Sequence, residues 1–191
     1  MKWTTTKLVT AGSIGAVFLI LAMSGSIVQS VAGFPGASGI VNGFISGIMF
    51  PLVVLLVRNF GAGTIAGLTY YILGLPLAIG GAPGFLPKIL VGLVVGLLAD
   101  ILFLLLKKNE RSTAVAIGAL TQPAIAFLVG GLGLVFSLPG IDKYLNLLQK
   151  PISIVAAFVI GAIGGIIAYL IYSKLKNTAV VKRIQGEQLV Q

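Results

Sequence analysis

The chain contains no cysteine and no histidine. Without thiols there is no disulfide, no thiolate metal site and no cysteine nucleophile. Without imidazole the commonest general base and the commonest metal ligand are both missing. Acidic residues are scarce as well: Asp and Glu together number 4 among 191 residues, too few and too scattered for a paired-carboxylate site. Neither a P-loop nor a nucleophile elbow occurs, which excludes nucleotide hydrolysis by the usual loop. There is no voltage-sensor row of arginines and no carbonyl-filter signature. The two halves show no inverted repeat of the kind found in many self-contained secondary transporters. These absences lead us to expect no catalytic residue, no metal site and no cofactor.

What the chain does have is apolar length. Hydrophobic residues make up 58% of it, charged residues 9%, and the mean hydropathy is +1.11, whereas a soluble domain carries about 25% charge. Six apolar stretches run roughly over Leu8–Val28, Ser38–Val57, Ala62–Ile79, Phe85–Leu106, Thr113–Leu138 and Ile152–Tyr172. About 20 apolar residues match the ~30 Å hydrocarbon core of a bilayer, and a backbone in lipid must satisfy its own hydrogen bonds, so each stretch is expected to be a helix. The third is the least regular, being interrupted by Gly74, Pro76, Gly80 and Gly81. The expected fold is therefore all-α: a polytopic membrane protein with a single six-helix domain over residues 1–191, multi-pass in the cell membrane. No A-x-A-like site follows the first stretch, so that helix is expected to be retained.

Charge orients the spans. With the N-terminus inside, the inner segments hold ten basic residues: Lys2, Lys7, Arg58, Lys107, Lys108, Arg111, Lys174, Lys176, Lys182 and Arg183. The outer segments hold three: Lys88, Lys143 and Lys150. This asymmetry places both termini in the cytoplasm and favours an even helix count. It also accounts for the net charge of +9 without a nucleic-acid partner. The inner loops are short and charged, whereas the outer ones are rich in glycine and proline: Val31–Ala37, Gly80–Gly84 and Pro139–Tyr144. Such loops are either mobile lids over a site entered from outside or simply turns.

Few polar residues interrupt the spans. Asp100 is the one acidic residue within them and lies seven residues before Lys107, ~10 Å from the inner helix end. Arg58 is its expected partner, and the pair is either structural or part of a coupling device. Gln122 lies near the midplane and precedes Pro123, which leaves the carbonyl of Ala119 without its helical donor. This spot either lines a binding site or is a proline kink with Gln122 bonded to its own backbone. Tyr70 and Tyr71 are also near the midplane, away from the interfacial aromatic belts. Successive helical residues point about 100° apart, so one of them is expected to face inward, where it can stack on a flat ligand. Asn42 would complete a polar ring. Lys88 either attracts an anionic ligand or snorkels to the interface.

Small residues recur at four-residue spacing. Gly39, Gly43 and Gly47 form one row, and Gly63 with Gly67, Gly92 with Gly96, and Gly161 with Gly165 form others. Ala11, Gly12, Gly15 and Ala16 give the first helix a similar face. These faces allow close helix approach, within the bundle or against another membrane subunit.

In its architecture, and best in sequence from Arg58-Asn59-Phe60-Gly61-Ala62 through Leu75-Pro76, Gly80-Gly81-Ala82-Pro83-Gly84, Gly92, Gly96 and Ala99-Asp100, the chain resembles the substrate-binding S component of energy-coupling-factor (ECF) vitamin transporters. The likeness is to the YkoE-like group, associated with thiamine or its hydroxymethylpyrimidine precursor. The resemblance implies a non-enzymatic subunit that captures a small water-soluble vitamin from outside. Its implied partners are a transmembrane coupling subunit and two cytoplasmic ATPases, with docking through Ala11, Gly12, Gly15 and Ala16. The third helix has no acidic residue to face a cationic vitamin, so a neutral flat ring read by tyrosine, Gln122 and Asn42 fits the residues better. A small independent channel or transporter, or a scaffold subunit without ligand, is the alternative.

Overall fold

The computed structural model describes residues 2–32 and 37–186, so Gly33–Gly36 of the first expected outer loop lie outside the described residues. All regular structure among them is helical, in eight helices. In chain order these are α1 (Thr5–Ala32), α2 (Ala37–Val57), α3 (Ala62–Leu73), α4 (Lys88–Leu106), α5 (Glu110–Val135), α6 (Ile141–Leu148), α7 (Pro151–Leu175) and α8 (Ala179–Gln185). Five of them, α1, α2, α4, α5 and α7, are long and apolar enough to cross a membrane, as in a multi-pass membrane protein.

The helix boundaries have local causes. Asn109 accepts from the Ser112 amide (3.1 Å) and Glu110 occupies the first turn of α5, where a carboxylate suits the helix dipole. Pro151 opens α7 at a position whose N–H has no helical partner in any case. Gly140, at φ 79°, turns the chain into α6.

The third apolar stretch differs from expectation. Its helix stops at Leu73, and α3 has 12 residues, about 18 Å of rise against the ~30 Å of a bilayer core. Gly74 and Pro76 end it, and residues 74–87 continue as turns. The backbone carbonyls freed in this segment are satisfied by Lys88, as described below. Two short helices were also unexpected: α6, read as part of an outer loop, and α8.

α2 is the central helix, with 67% of its span buried against 33% for α1 and 22% for α7. It touches α1, α3, α4, α5 and α7. Glycine rows set the spacing. Gly63 and Gly67 of α3 lie on the backbone of Gly96 and Gly92 of α4. Gly47 of α2 meets Gly161 and Gly164 of α7, and Gly118 of α5 meets Gly161 and Gly165. Side chains at these points would enter the neighbouring backbone, so glycine is what permits the contact.

The two ends of the bundle differ in chemistry. One gathers Lys7, Arg58, Asn59, Glu110 and Lys176: Lys7 Nζ donates to Asn59 Oδ1 (3.4 Å), and Glu110 pairs with Arg58 and Lys176. Gln185 of α8 donates to the carbonyls of Leu55 and Leu56 (3.2 and 3.3 Å), which end α2. The other end holds the start of α2, the end of α3, the 74–87 segment, the end of α5 and α6.

Candidate functional site

On α2, Ser38, Asn42 and Ser46 recur every four residues and so share one face of the helix. With Met49 and Phe50 below them, they line a cavity of about 230 Å³ at the glycine–proline end of the bundle. From α5, Gln122, Ile125, Ala126 and Val129 follow the same helical spacing and form the opposite wall. α3 contributes Tyr70 and Tyr71, α6 contributes Tyr144, and Ala78, Ile79, Gly80 and Gly81 roof the space. Gly80 and Gly81 have φ of 65° and 139°, left-handed conformations that disfavour side chains.

Tyr70 and Tyr71 both line the cavity and both are buried, which corrects the expectation that only one faces inward. Helical divergence is overcome because the chain after Leu73 folds back: Gly80 lies on the Tyr71 ring, and Gly92 of α4 packs on its other edge. The two rings meet edge to face, centroids 5.0 Å apart at 74°, a favoured aromatic geometry. The Tyr144 hydroxyl donates to the carbonyl of Ala126 (3.2 Å), tying α6 to α5. Burial pushes the Tyr144 phenol up to about 12, so it is neutral at physiological pH.

The polar groups are partly unpaired. Ser46 Oγ donates to the Gly43 carbonyl (3.0 Å) and lies 3.2 Å from Gln122 Oε1. The Gln122 carboxamide fits because Gly43 has no side chain. No described residue accepts from Gln122 Nε2. The buried Asn42 Oδ1 has no hydrogen-bond partner among the described residues. An unpaired buried amide oxygen such as this costs roughly 1–3 kcal/mol. None of the described lining residues carries a charge.

The structure thus brings together Asn42, Tyr70, Tyr71 and Gln122, four of the five candidate ligand contacts. Lys88 is the exception. It is fully buried outside the cavity, and its Nζ donates to the carbonyls of Gly74 (2.8 Å), Leu75 (3.1 Å), Leu77 (2.8 Å) and Ala82 (3.5 Å). It therefore neither snorkels nor faces a ligand. It is the cation that satisfies the broken end of α3 and pins the segment roofing the cavity.

Asp100 does not pair with Arg58. Its Oδ1 accepts from the Gly63 amide (2.9 Å), and its Oδ2 accepts from the Thr64 amide (3.0 Å) and hydroxyl (2.7 Å). Gly63 and Thr64 are the second and third residues of α3, and Gly61, at its N-cap, has no side chain to offer. Asp100 therefore performs from α4 the capping that a local Ser or Asp would otherwise provide. Arg58 pairs with Glu110. Tyr172 donates to the same carboxylate (3.2 Å), and Lys176 reaches its second oxygen (3.3 Å).

The face given to docking is used within the bundle. Ala11 and Gly15 are buried, and Gly15 lies on the Ala66 carbonyl of α3, with Gly12 beside Thr69. Ala16 is half-buried. Small residues here let α1 approach α3, which leaves Ala11 and Gly15 unavailable to a partner.

Two site residues escaped the sequence reading. Ser46 was hidden by its ordinariness in an apolar helix, although its four-residue offset from Asn42 was a usable signal. Tyr144 sat in a presumed loop, although Ile141, Tyr144, Leu145 and Leu148 carry helical spacing.

No protein-family model matches the chain, and neither a curated protein nor a solved structure was found to be similar to it.

Proposed function

We propose that the protein is a membrane-embedded binding subunit that captures a small, neutral, ring-bearing nutrient from the outer side of the cell membrane. The observation that carries this reading is the cavity itself, where an uncharged set of amides, hydroxyls and tyrosines from four helices lies under a glycine-rich roof. Its volume is just below the ~300–1,000 Å³ of typical small-molecule pockets, which supports a ligand of about one ring. Tyrosine faces stack on such a ring and Gln122 Nε2 donates to a ring nitrogen, whereas Asn42 Oδ1 is turned against Gly25 of α1 and does not reach the ligand. The hydroxymethylpyrimidine precursor fits this set better than cationic thiamine, for which the described lining residues offer no carboxylate.

In this reading the short α3 and residues 74–87 together make a sixth crossing, and α1 begins and α7 ends on the cytoplasmic side. The excess of basic residues at that end supports this orientation. The resemblance to ECF S components supplies the energetic part: a transmembrane coupling subunit and two ATPases drive release, since the chain has no P-loop of its own. A channel is disfavoured by the packing below the cavity, where Val53, Val57, Val95, Ala114 and Ile117 are fully buried and glycines bring α2, α5 and α7 into backbone contact.

The test is direct. Protein purified in mild detergent is denatured and its released small molecules identified by mass spectrometry, followed by titration with hydroxymethylpyrimidine and thiamine. A neutral heterocycle bound at sub-micromolar concentration supports the reading. Absence of any bound or titratable small molecule, or of any complex with ATPases on pull-down from native membranes, ends it.

A further inference from the structure

A second cavity, of about 180 Å³, opens at the charged end between α2, α4 and α5. We propose that it binds the phosphate of an anionic phospholipid, with the upper acyl chain lying along its apolar wall.

The wall and the rim have opposite characters. Leu55, Phe60, Phe103 and Leu104 form the wall, and Arg58, Lys107 and Glu110 form the rim. Phe60 and Leu104 are 47% and 45% exposed, so the wall opens sideways from the bundle, where a membrane protein meets lipid. The rim carries excess positive charge. Glu110 is already engaged by Arg58, Lys176 and Tyr172, three donors on one carboxylate. Lys107 has no ion pair or hydrogen bond among the described residues. Arg58 uses one terminal nitrogen on Glu110, and its remaining N–H groups donate to no described residue. The Thr113 hydroxyl is engaged by the carbonyls of Leu106 (2.5 Å) and Asn109 (2.8 Å), so it does not compete.

An anion at this rim meets one free ammonium and a half-free guanidinium, a geometry suited to phosphate oxygens. Basic pockets between transmembrane helices at headgroup depth are a recurring lipid-binding arrangement. A soluble phosphate would use the rim alone. The exposed apolar wall joined to it selects a ligand with a hydrocarbon chain.

The experiment uses full-length protein in mild detergent, equilibrated with equal phosphatidylglycerol and phosphatidylcholine and examined by native mass spectrometry. Preferential retention of phosphatidylglycerol is expected. Lys107→Gln should lower that preference about five-fold, the ratio corresponding to ~1 kcal/mol for one net hydrogen bond to the phosphate. Lys108→Gln, one residue further along and outside the cavity, should leave it unchanged. Equal retention of the two lipids by the wild type, an unaltered preference in Lys107→Gln, or an equal loss in Lys108→Gln would each overturn the proposal. Displacement of phosphatidylglycerol by millimolar inorganic phosphate would overturn its lipid part, showing that the wall contributes nothing.

Discussion

Lys88 and Asp100 stand twelve residues apart on α4 and hold opposite ends of α3. The ammonium of Lys88 sits on the carbonyls that follow the C-terminal end, and the carboxylate of Asp100 sits on the amides of the N-terminal turn. α3 is also 12 residues long, so one antiparallel neighbour matches it end to end. Each charge meets the favourable end of the α3 dipole. The pairs Gly63–Gly96 and Gly67–Gly92 bring the two helices close enough for both contacts.

Removing the lower contact should cost stability without touching the cavity. Asp100→Ala leaves the Gly63 and Thr64 amides and the Thr64 hydroxyl without their acceptor, and loss of a cap of this kind costs about 0.5–2 kcal/mol, more where the donors are buried. Asp100→Asn retains one acceptor oxygen and should fall between it and the wild type. Thermal unfolding in detergent measures the order. An unchanged midpoint in Asp100→Ala would show that water replaces the carboxylate there.

Removing the upper contact should loosen the roof. In Lys88→Met, four carbonyls between Gly74 and Ala82 lose their common donor, and the segment that roofs the cavity loses its anchor. Limited proteolysis should then cut within residues 78–84 of the variant before it cuts the wild type, and ligand should dissociate faster. Equal protection would mean that the remaining backbone contacts, such as the Gly84 amide on the Leu75 carbonyl (2.8 Å), hold the segment alone.

The lack of cysteine makes the membrane orientation measurable with single introduced thiols. Ala82→Cys, on the exposed part of the 74–87 segment, should react with a membrane-impermeant maleimide in intact cells. Lys108→Cys, in the loop between α4 and α5, should react only after permeabilisation. The opposite pattern would invert the orientation and place the cavity towards the cytoplasm.

The fold was legible where the signal was local. Long apolar runs announced α1, α2, α4, α5 and α7, and the interruptions at Gly74 and Pro76 already marked the weak third stretch. Asn42 and Gln122 stood out because polar groups are costly in mid-bilayer, and Tyr70 and Tyr71 because tyrosines usually sit in the interfacial belts. What could not be read was which helix each polar group would meet. Asp100 and Arg58 are opposite charges in the same half of the bundle, so pairing them was reasonable. The true partners, backbone amides of α3 and the carboxylate of Glu110, depend on how the helices pack. The small-residue face of α1 was ambiguous for the same reason: its spacing permits close approach but does not name the neighbour.

That neighbour is α3, and the consequence separates two roles for Gly15. A docking residue, when enlarged, leaves the free subunit intact and blocks assembly. A packing residue damages the subunit itself. In Gly15→Leu the new side chain meets the Ala66 carbonyl and Thr69, and overpacking of this kind costs typically 1–3 kcal/mol. The variant should show a lower unfolding midpoint and weaker ligand binding even with no partner present. Normal stability with failed assembly would return Gly15 to a docking role.

The uncharged lining makes a final prediction about pH. Tyrosines are the lining groups that titrate. An ordinary phenol ionises near 10, and burial raises Tyr144 to about 12. A raised phenol pKa means that the folded state keeps its proton after the unfolded chain has lost it. Its contribution to stability is therefore complete below about pH 10 and lost as pH rises towards 12. Affinity for a neutral ligand should accordingly be flat from about pH 5 to about pH 9, where a carboxylate-dependent site for a cation would weaken at the acid end. Against that flat background, Gln122→Ala should weaken binding about five- to ten-fold, the size of one net hydrogen bond. Tyr144→Phe, which keeps the ring but frees the Ala126 carbonyl, should weaken it less. Isothermal titration with hydroxymethylpyrimidine across this pH range tests both. Affinity that falls steeply below about pH 6 would show that an acidic group outside the lining governs binding, and an unchanged affinity in Gln122→Ala would remove that side chain from the site.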